Sequence, residues 1–412
     1  MVVMRRMIVF IAVLAPMMCF AELEYASMLV VPIQEKNWDK LSGEWSFENG
    51  EIVGRVKGDE MGWLMVKSGV LPALRSFSID LEFKTPAPAN GGLQFRAHWL
   101  PKLPAPDGVA SNSLPKTMYG YQANIDTSKK DGTGSVLAAH GQPPLGEPSA
   151  EAQAAVKPND WNTMAVKVKG PDIEVIVNGV SAAKARDERF MDGGIALQAA
   201  LNPGQEKTEV RYRNVSFNPL PGKSEADTWR PLFDGKSLAG WKEWGTEKWT
   251  IEDGVIHGSS GPKKSEGYLA TEETFKDFWV HGSFKMLWDG NYGLFYHSTI
   301  KYDDKQYPVI SGLQGEVDPG YPGPTGWVYE SYKRGWLVTP DAKTLEAYAL
   351  RPGEWNDMEI RSAGNHVTTW VNGIRVLDLV DAGQQLTEGS FALQLHAGGV
   401  AGILWKDLRV KK

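Results

Sequence analysis

A chain of 412 residues is long enough for two domains, each burying its own core. With 23% charged and 42% hydrophobic residues the composition is that of a globular protein, and a net charge of −6 without any basic cluster argues against a nucleic-acid partner. The 16 Trp and 44 Gly fit aromatic-rich strands joined by tight turns; aromatic faces also suit pyranose rings, although most Trp in a β protein are core.

At the N-terminus, Arg5 and Arg6 precede an apolar run from Met7 to Met18, and Cys19-Phe20-Ala21 closes it with residues a signal peptidase would read. The pattern predicts a signal peptide over 1–21, a mature chain from Glu22, and export to the periplasm or the extracellular space. The run is too short for a bilayer helix, so the protein is expected not to span a membrane. A lipid anchor on Cys19 is the alternative, against which Pro16-Met17-Met18 stands as a poor approach. Because Cys19 is the single cysteine, the mature chain would hold no disulfide and no cysteine metal ligand.

Downstream, apolar alternation recurs in short runs, as in residues 78–83, 164–169, 173–177 and 366–371. Asn49-Gly50, Asn178-Gly179, Asp253-Gly254 and Asn372-Gly373 each suit a tight hairpin with positive φ. No long stretch has a 3.6-residue apolar period, so helices should be few and short. The sum is an all-β chain of antiparallel β-sandwiches.

Internal repeats then divide the chain. WSFENGEIVG at 45–54 matches WTIEDGVIHG at 249–258, Gly62-Trp63-Leu64 pairs with Gly267-Tyr268-Leu269, and NGGLQF at 90–95 pairs with NYGLFY at 291–296. GYQANID at 120–126 pairs with GLQGEVD at 312–318, and Trp161-Asn162 precedes Asn178-Gly179 as Trp355-Asn356 precedes Asn372-Gly373. Ala196-Leu197-Gln198 pairs with Ala392-Leu393-Gln394. The same landmarks in the same order predict tandem copies over 22–218 and 228–412, joined by a linker at 219–227. The Trp and Asn-Gly landmarks read as scaffold on the sheet opposite the site. Residues 98–118 and 298–311 read as long irregular stretches that could wall a site.

LFDGKSLAGW at 232–241, WTIEDGVIHG, GLQGEVD with TGWVYE at 325–330, EWNDMEI at 354–360, WVNGIRV at 370–376 and FALQLHAG at 391–398 together resemble the 3-keto-disaccharide hydrolase family. The likeness covers 228–412; the first copy resembles the family more weakly and lacks the LFDGKSLAGW opening. It implies two tandem concanavalin A-like jelly-roll β-sandwich domains and, as activity, cleavage of glycosides whose sugar is oxidised at C3. The expected partner is therefore an oligosaccharide or 3-keto-glycoside.

A 3-keto group acidifies the C2 proton, so a base can remove it and the aglycone can leave C1 by β-elimination, after which water adds back. That route needs a base, donors for the enolate oxygen, and an acid for the leaving group. Strand alternation puts Gln314, Glu316 and Asp318 on one face and Leu313 and Val317 on the other. With His297 and His396 on neighbouring segments, the catalytic set reads as Glu316, His297, His396 and Asp318, with His297 or Glu316 as base. Gln314, Arg334, Tyr329, Glu330 and Gln394 read as substrate-binding. A divalent metal ion is a competing use of the two imidazoles and two carboxylates, although no ligand-spacing motif supports it. A two-carboxylate glycosidase is the other rival, but Glu316 and Asp318 would sit about 7 Å apart on one side of a sugar rather than flanking its bond.

In the first copy Asn124 stands for Glu316, Ala200 for His396, Arg96 for His297 and Leu137 for Tyr329, while Gln122 and Asp126 are kept. The second copy is therefore expected to be catalytic and the first to bind sugar or support the structure. A glycan-binding protein without turnover is the alternative to an enzyme.

Overall fold

The computed structural model describes residues 29–58, 61–71, 75–86, 88–100, 117–128, 132–138, 143–220, 229–320, 324–340, 349–351, 353–398 and 400–412. The expected signal peptide with Cys19, the 101–116 part of the first suspected wall and most of the expected linker lie outside them. Helix is confined, among the described residues, to Ala150–Ala155 and a single 3-10 turn, Glu35–Asn37. None of the described helices is long and apolar enough to cross a membrane.

Each copy is a sandwich of two antiparallel sheets with apolar side chains between them, the all-β jelly-roll architecture expected. In the second copy one sheet runs, in spatial order, Lys248–Glu252, Val255–Ser259, Gly402–Lys411, Phe278–Met286, Asn356–Ala363, His366–Val371 and Ile374–Val380. The facing sheet runs Trp241–Trp244, Gly267–Thr271, Ser390–Leu395, Tyr292–Tyr302, Pro308–Val317, Val328–Glu330 and Gly335–Trp336. The first copy repeats this order, with Gly62–Val66, Gly194–Ala200, Asn90–Leu100, Thr117–Asp126 and Val136–Ala138 in the equivalent second sheet.

The turn chemistry explains the hairpins. Asn49, Asn178, Asp253 and Asn372 all have φ near +50° and each is followed by a glycine at positive φ, the mirror-image turn whose twist matches paired strands. Asn178 and Asn372 also carry the same side-chain bonds in both copies. Asn178 accepts from Thr163 N at 2.8 Å and donates to Asn162 Oδ1 at 2.8 Å. Asn372 accepts from Asp357 N at 3.0 Å and donates to Asn356 Oδ1 at 2.8 Å. Asn372 lies on the sheet opposite Gln314, and Asn178 on the sheet opposite Gln122.

The copies also touch each other. Arg361 pairs with Glu188 at 2.7 Å, the Trp370 indole donates to Glu188 O at 2.8 Å, and Met191 N donates to Gly373 O at 2.8 Å.

Residues 298–311 are not irregular. Tyr292–Tyr302 and Pro308–Val317 form one long hairpin, with a register shift between Tyr296 and Thr299. Beyond that bulge the hairpin arches across its own sheet, so that Ile310 and Ile300 pack with Phe295, Tyr268 and Ala392 in a separate small core. Its tip reaches the opposite edge, where Gly245 N donates to the Tyr302 hydroxyl at 3.3 Å and Tyr302 lies 5.3 Å from Trp244. The stretch reads as irregular in sequence because neither the pairing of its two arms nor the bulge that bends them is a local property of the chain.

Candidate active site

Register across the outer face of the second sheet brings four strands into two rows. Tyr268, Gln394, Gly293 and Glu316 stand side by side in one row. One step outward, Glu266, His396, Asn291 and Asp318 follow, since strand side chains repeat on a face every second residue.

These side chains form a connected chain of hydrogen bonds. The Tyr268 hydroxyl donates to Glu266 Oε2 at 2.6 Å, and Gln394 also bonds that hydroxyl. Gln314 Nε2 donates to Gln394 Oε1 at 2.8 Å, to Glu316 Oε1 at 3.0 Å and to Tyr292 O at 3.2 Å. Asn291 bonds Glu316 and donates to Asp318 Oδ2 at 3.2 Å. The imidazole of His396 closes the far end, with Nε2 3.6 Å from Glu266 Oε1 and Nδ1 2.8 Å from Ala397 O.

Gly293 makes this possible. Gln314 lies flat over it, and a Cβ there would stand 2.4 Å from Gln314 Nε2 and 2.6 Å from its Cγ. Any side chain at 293 would lift the amide off the sheet and break the chain of bonds.

Glu316 is the electrostatically unusual member. Only 4% of it is exposed, and burial, followed by the neighbouring Asp318 charge, pushes its pKa up to about 8. At neutral pH a carboxyl with that pKa is mainly protonated and has a proton to give, whereas the sequence offers it, as the alternative to His297, as a base. Tyr268 is also held well above the ordinary phenol range, first by burial and then by Glu266.

The structure brings together Glu316, Asp318, His396, Gln314 and Gln394, and separates three of the other residues. His297 sits at the bulge with φ +47° and 1% exposure, its ring turned away from the Gln314 face. Its Nε2 is 2.7 Å from Lys276 O, and its ring packs on Phe278 and Tyr296. Burial lowers its pKa. Arg96 occupies the same bulge in the first copy, with φ +47° and its guanidinium 2.7 Å from Arg75 O, so this position anchors the bend in both copies. Neither sequence alternation nor residue type could reveal that, because a bulge reverses the face.

Glu330 and Arg334 are likewise not free to hold sugar. Glu330 faces inward beside Leu313 and is 1% exposed. Arg334 pairs with Glu330 and with both Asp381 oxygens at 2.7 and 2.8 Å, contacts that keep its guanidinium firmly charged. Tyr329 is opposite Gln314 and shares its face, 5.2 Å from Trp336. Asp318 is held locally, accepting from Gly320 N at 2.6 Å and Asn291. Its backbone is clasped by Thr325 as Asp126 is by Thr133, which makes Asp318 a shared scaffold element that loads charge beside Glu316.

Glu266, Tyr268 and Asn291 were missed by sequence reasoning. Tyr268 had a signal, since it repeats Trp63 between the same Gly and Leu, but only cross-strand register shows that it and Glu266 face His396. With His297 outside the site, the four-ligand metal set does not assemble; among the described residues no three His, Asp or Glu side chains group as a metal site needs.

The first copy keeps the frame without the carboxyl. Gln122 Nε2 donates to Gln198 Oε1 at 2.9 Å, to Asn124 Oδ1 at 2.8 Å and to Gly91 O at 3.1 Å, and it lies over Gly92.

Comparison with known proteins agrees with this doubling. A curated 3-keto-disaccharide hydrolase of Bacteroides thetaiotaomicron is 38% identical over 81 residues, which are 18% of this chain and 28% of that protein. The match thus spans about 28% of the relative's length. Among solved structures, a Parabacteroides distasonis protein whose name proposes a glycosyl hydrolase aligns at 21% identity and TM-score 0.35, covering 47% of this chain and 97% of that one. A carbohydrate binding module from Bacillus subtilis aligns at 16% identity and TM-score 0.32, covering 44% and 94%. The pattern of the 3-keto-alpha-glucoside-1,2-lyase-like domain matches residues 34–218 and again 228–411. The chain belongs to the 3-keto-alpha-glucoside-1,2-lyase-like domain family and carries two copies of that domain.

Proposed function

We propose that the protein is an exported enzyme that cleaves 3-keto-glycosides in its second domain by β-elimination followed by hydration. The observation that carries this reading is the neutral, buried Glu316 carboxyl at one end of a hydrogen-bonded chain that runs through Gln314, Gln394 and Tyr268 to Glu266, with the His396 imidazole 3.6 Å beyond. An acid and a base set apart on one sheet face are what elimination requires.

His396, oriented by Glu266, takes the C2 proton of the 3-keto sugar. The electron pair passes into the C2–C3 bond and onto the ketone oxygen, to which the Gln394 amide donates. When the enolate collapses, C1=C2 forms, the C1–O bond breaks and Glu316 gives its proton to the departing oxygen. Water then adds across C1=C2, returning a 3-keto sugar. The family description as lyase-like and the Bacteroides thetaiotaomicron relative's name both support this order of steps, elimination giving the first and hydration the net hydrolysis. Export rests on the N-terminal pattern.

The first domain, with Asn124 where Glu316 stands, has hydrogen-bonding groups but no proton to give, and we assign it a binding or supporting role. The test is release of reducing sugar from 3-keto-trehalose and from related 3-keto-glucosides. Wild type and Asn124→Ala should be active, and Glu316→Gln should lose at least about a hundredfold. Binding of such sugars without any release by the wild type would replace the enzyme with a glycan-binding protein.

A further inference from the structure

The inward ion pairs of Glu330 and Arg334 pose a question, because they hold a turn with no core of its own. Ser331 to Arg334 link the short strands Val328–Glu330 and Gly335–Trp336. Ser331 N donates to Gly312 O at 3.0 Å, which ties the start of the turn to the site strand. Arg334, clasped by Glu330 and Asp381, ties its end, and Asp381 is in turn fixed by Gly383 N at 3.0 Å.

Between these anchors, Tyr332 adopts φ +56°, in the left-handed region that costs a large side chain energy, and 68% of it is exposed. Among the described residues no ring or cation stacks on it. The charges of Glu266 and Asp303 act on its phenol, as it acts on that of Tyr268, and the Ser331–Gly312 bond seats its turn on the strand that carries Gln314 and Glu316. Tyr329 and Trp336 flank the same turn. In the first copy the position of Tyr329 is Leu137, and Val136 bridges instead to Gly146, so the described part of that copy presents no such platform.

We infer that Tyr332 is the stacking platform for the aglycone sugar ring of the substrate, and that Arg334 with Glu330 is the device that positions it. This rests on the reading of the second domain given above. Depth assigns the rings: Glu316 is buried, so the reacting 3-keto ring sits at the floor, and the exposed Tyr332 meets the ring that departs. An open aromatic face offers the C–H face of a pyranose about a tenfold gain in affinity.

The experiment compares a 3-keto-disaccharide with methyl 3-keto-glucoside, whose aglycone has no ring. Tyr332→Ala should raise KM about tenfold for the disaccharide with kcat little changed, leave the methyl glycoside unaffected, and be rescued by Tyr332→Phe or Tyr332→Trp. Arg334→Ala, which leaves the buried Glu330 carboxylate without its partner, should lower the melting temperature and, in the protein that stays folded, reproduce the pattern. An equal effect on both substrates, or none on either, overturns the assignment. Should wild type cleave neither substrate, the proposed activity fails on its own account. Calorimetric binding of the 3-keto-disaccharide then decides the role of Tyr332: weakening by Tyr332→Ala supports it and unchanged affinity overturns it.

Discussion

Glu316 and Asn124 accept the same hydrogen bond in the two copies, from Gln314 Nε2 at 3.0 Å and from Gln122 Nε2 at 2.8 Å. The amide that meets them, the glycine beneath that amide and the second glutamine across the sheet are all duplicated. What differs is a titratable proton.

Stability should depend on pH through Glu316. Its pKa is near 8 folded against an ordinary value of 4.5, so between these limits the folded state keeps a proton that the unfolded state has lost. Stability is therefore fully present below pH 4.5 and declines as pH rises to 8, by an amount on the order of a few kcal/mol. Thermal melts from pH 5 to 8.5 should show a fall in the wild type that is flatter in Glu316→Gln; parallel curves would show that Glu316 ionises normally.

Activity should fall above pH 8, as the donor loses its proton. Glu316→Gln should cost about 100- to 10,000-fold with a sugar leaving group but far less with a nitrophenyl 3-keto-glucoside, whose leaving group needs no protonation. A loss independent of the leaving group would move the donor elsewhere.

The two histidines should separate cleanly. His396→Ala removes the imidazole at the rim and should reduce kcat about a hundredfold with little change in melting temperature. His297→Ala leaves a cavity beneath the bulge and unpairs Lys276 O, and should cost about 1–3 kcal/mol in denaturant unfolding without changing the pH profile of residual activity.

Gly293→Ala should disable the site without touching a titratable group. The added methyl lies 2.4–2.8 Å from Gln314 atoms, so the amide must leave its place between Gln394 and Glu316. The expected cost is about 1–3 kcal/mol of stability together with loss of turnover. Gly92→Ala, equivalent over Gln122, should cost similar stability and leave turnover intact.

Alternation and turn chemistry made the sandwich legible, since hydrophobic period and Asn-Gly turns are local properties of the chain. Comparing the copies within the sequence marked Glu316 as the residue that distinguishes them, and in the fold it and Asn124 take equivalent hydrogen bonds. The misreadings each have a physical cause. At His297 a bulge turns the face over; at Glu330 alternation points the carboxylate inward, where Arg334, itself paired with Asp381, meets it. Glu266 and Asn291 carried no local signal at all, because their meeting with His396 and Asp318 is a fact of strand register.

The doubling, the strand character of most segments and the position of the exchanged carboxyl were legible in the sequence, since all depend on neighbours along the chain. The protonation of that carboxyl comes from packing in three dimensions. Burial between Gln314 and Asn291 and the charge of Asp318 hold its proton to about pH 8, and solvent exclusion of that kind exists only once separate strands are packed together.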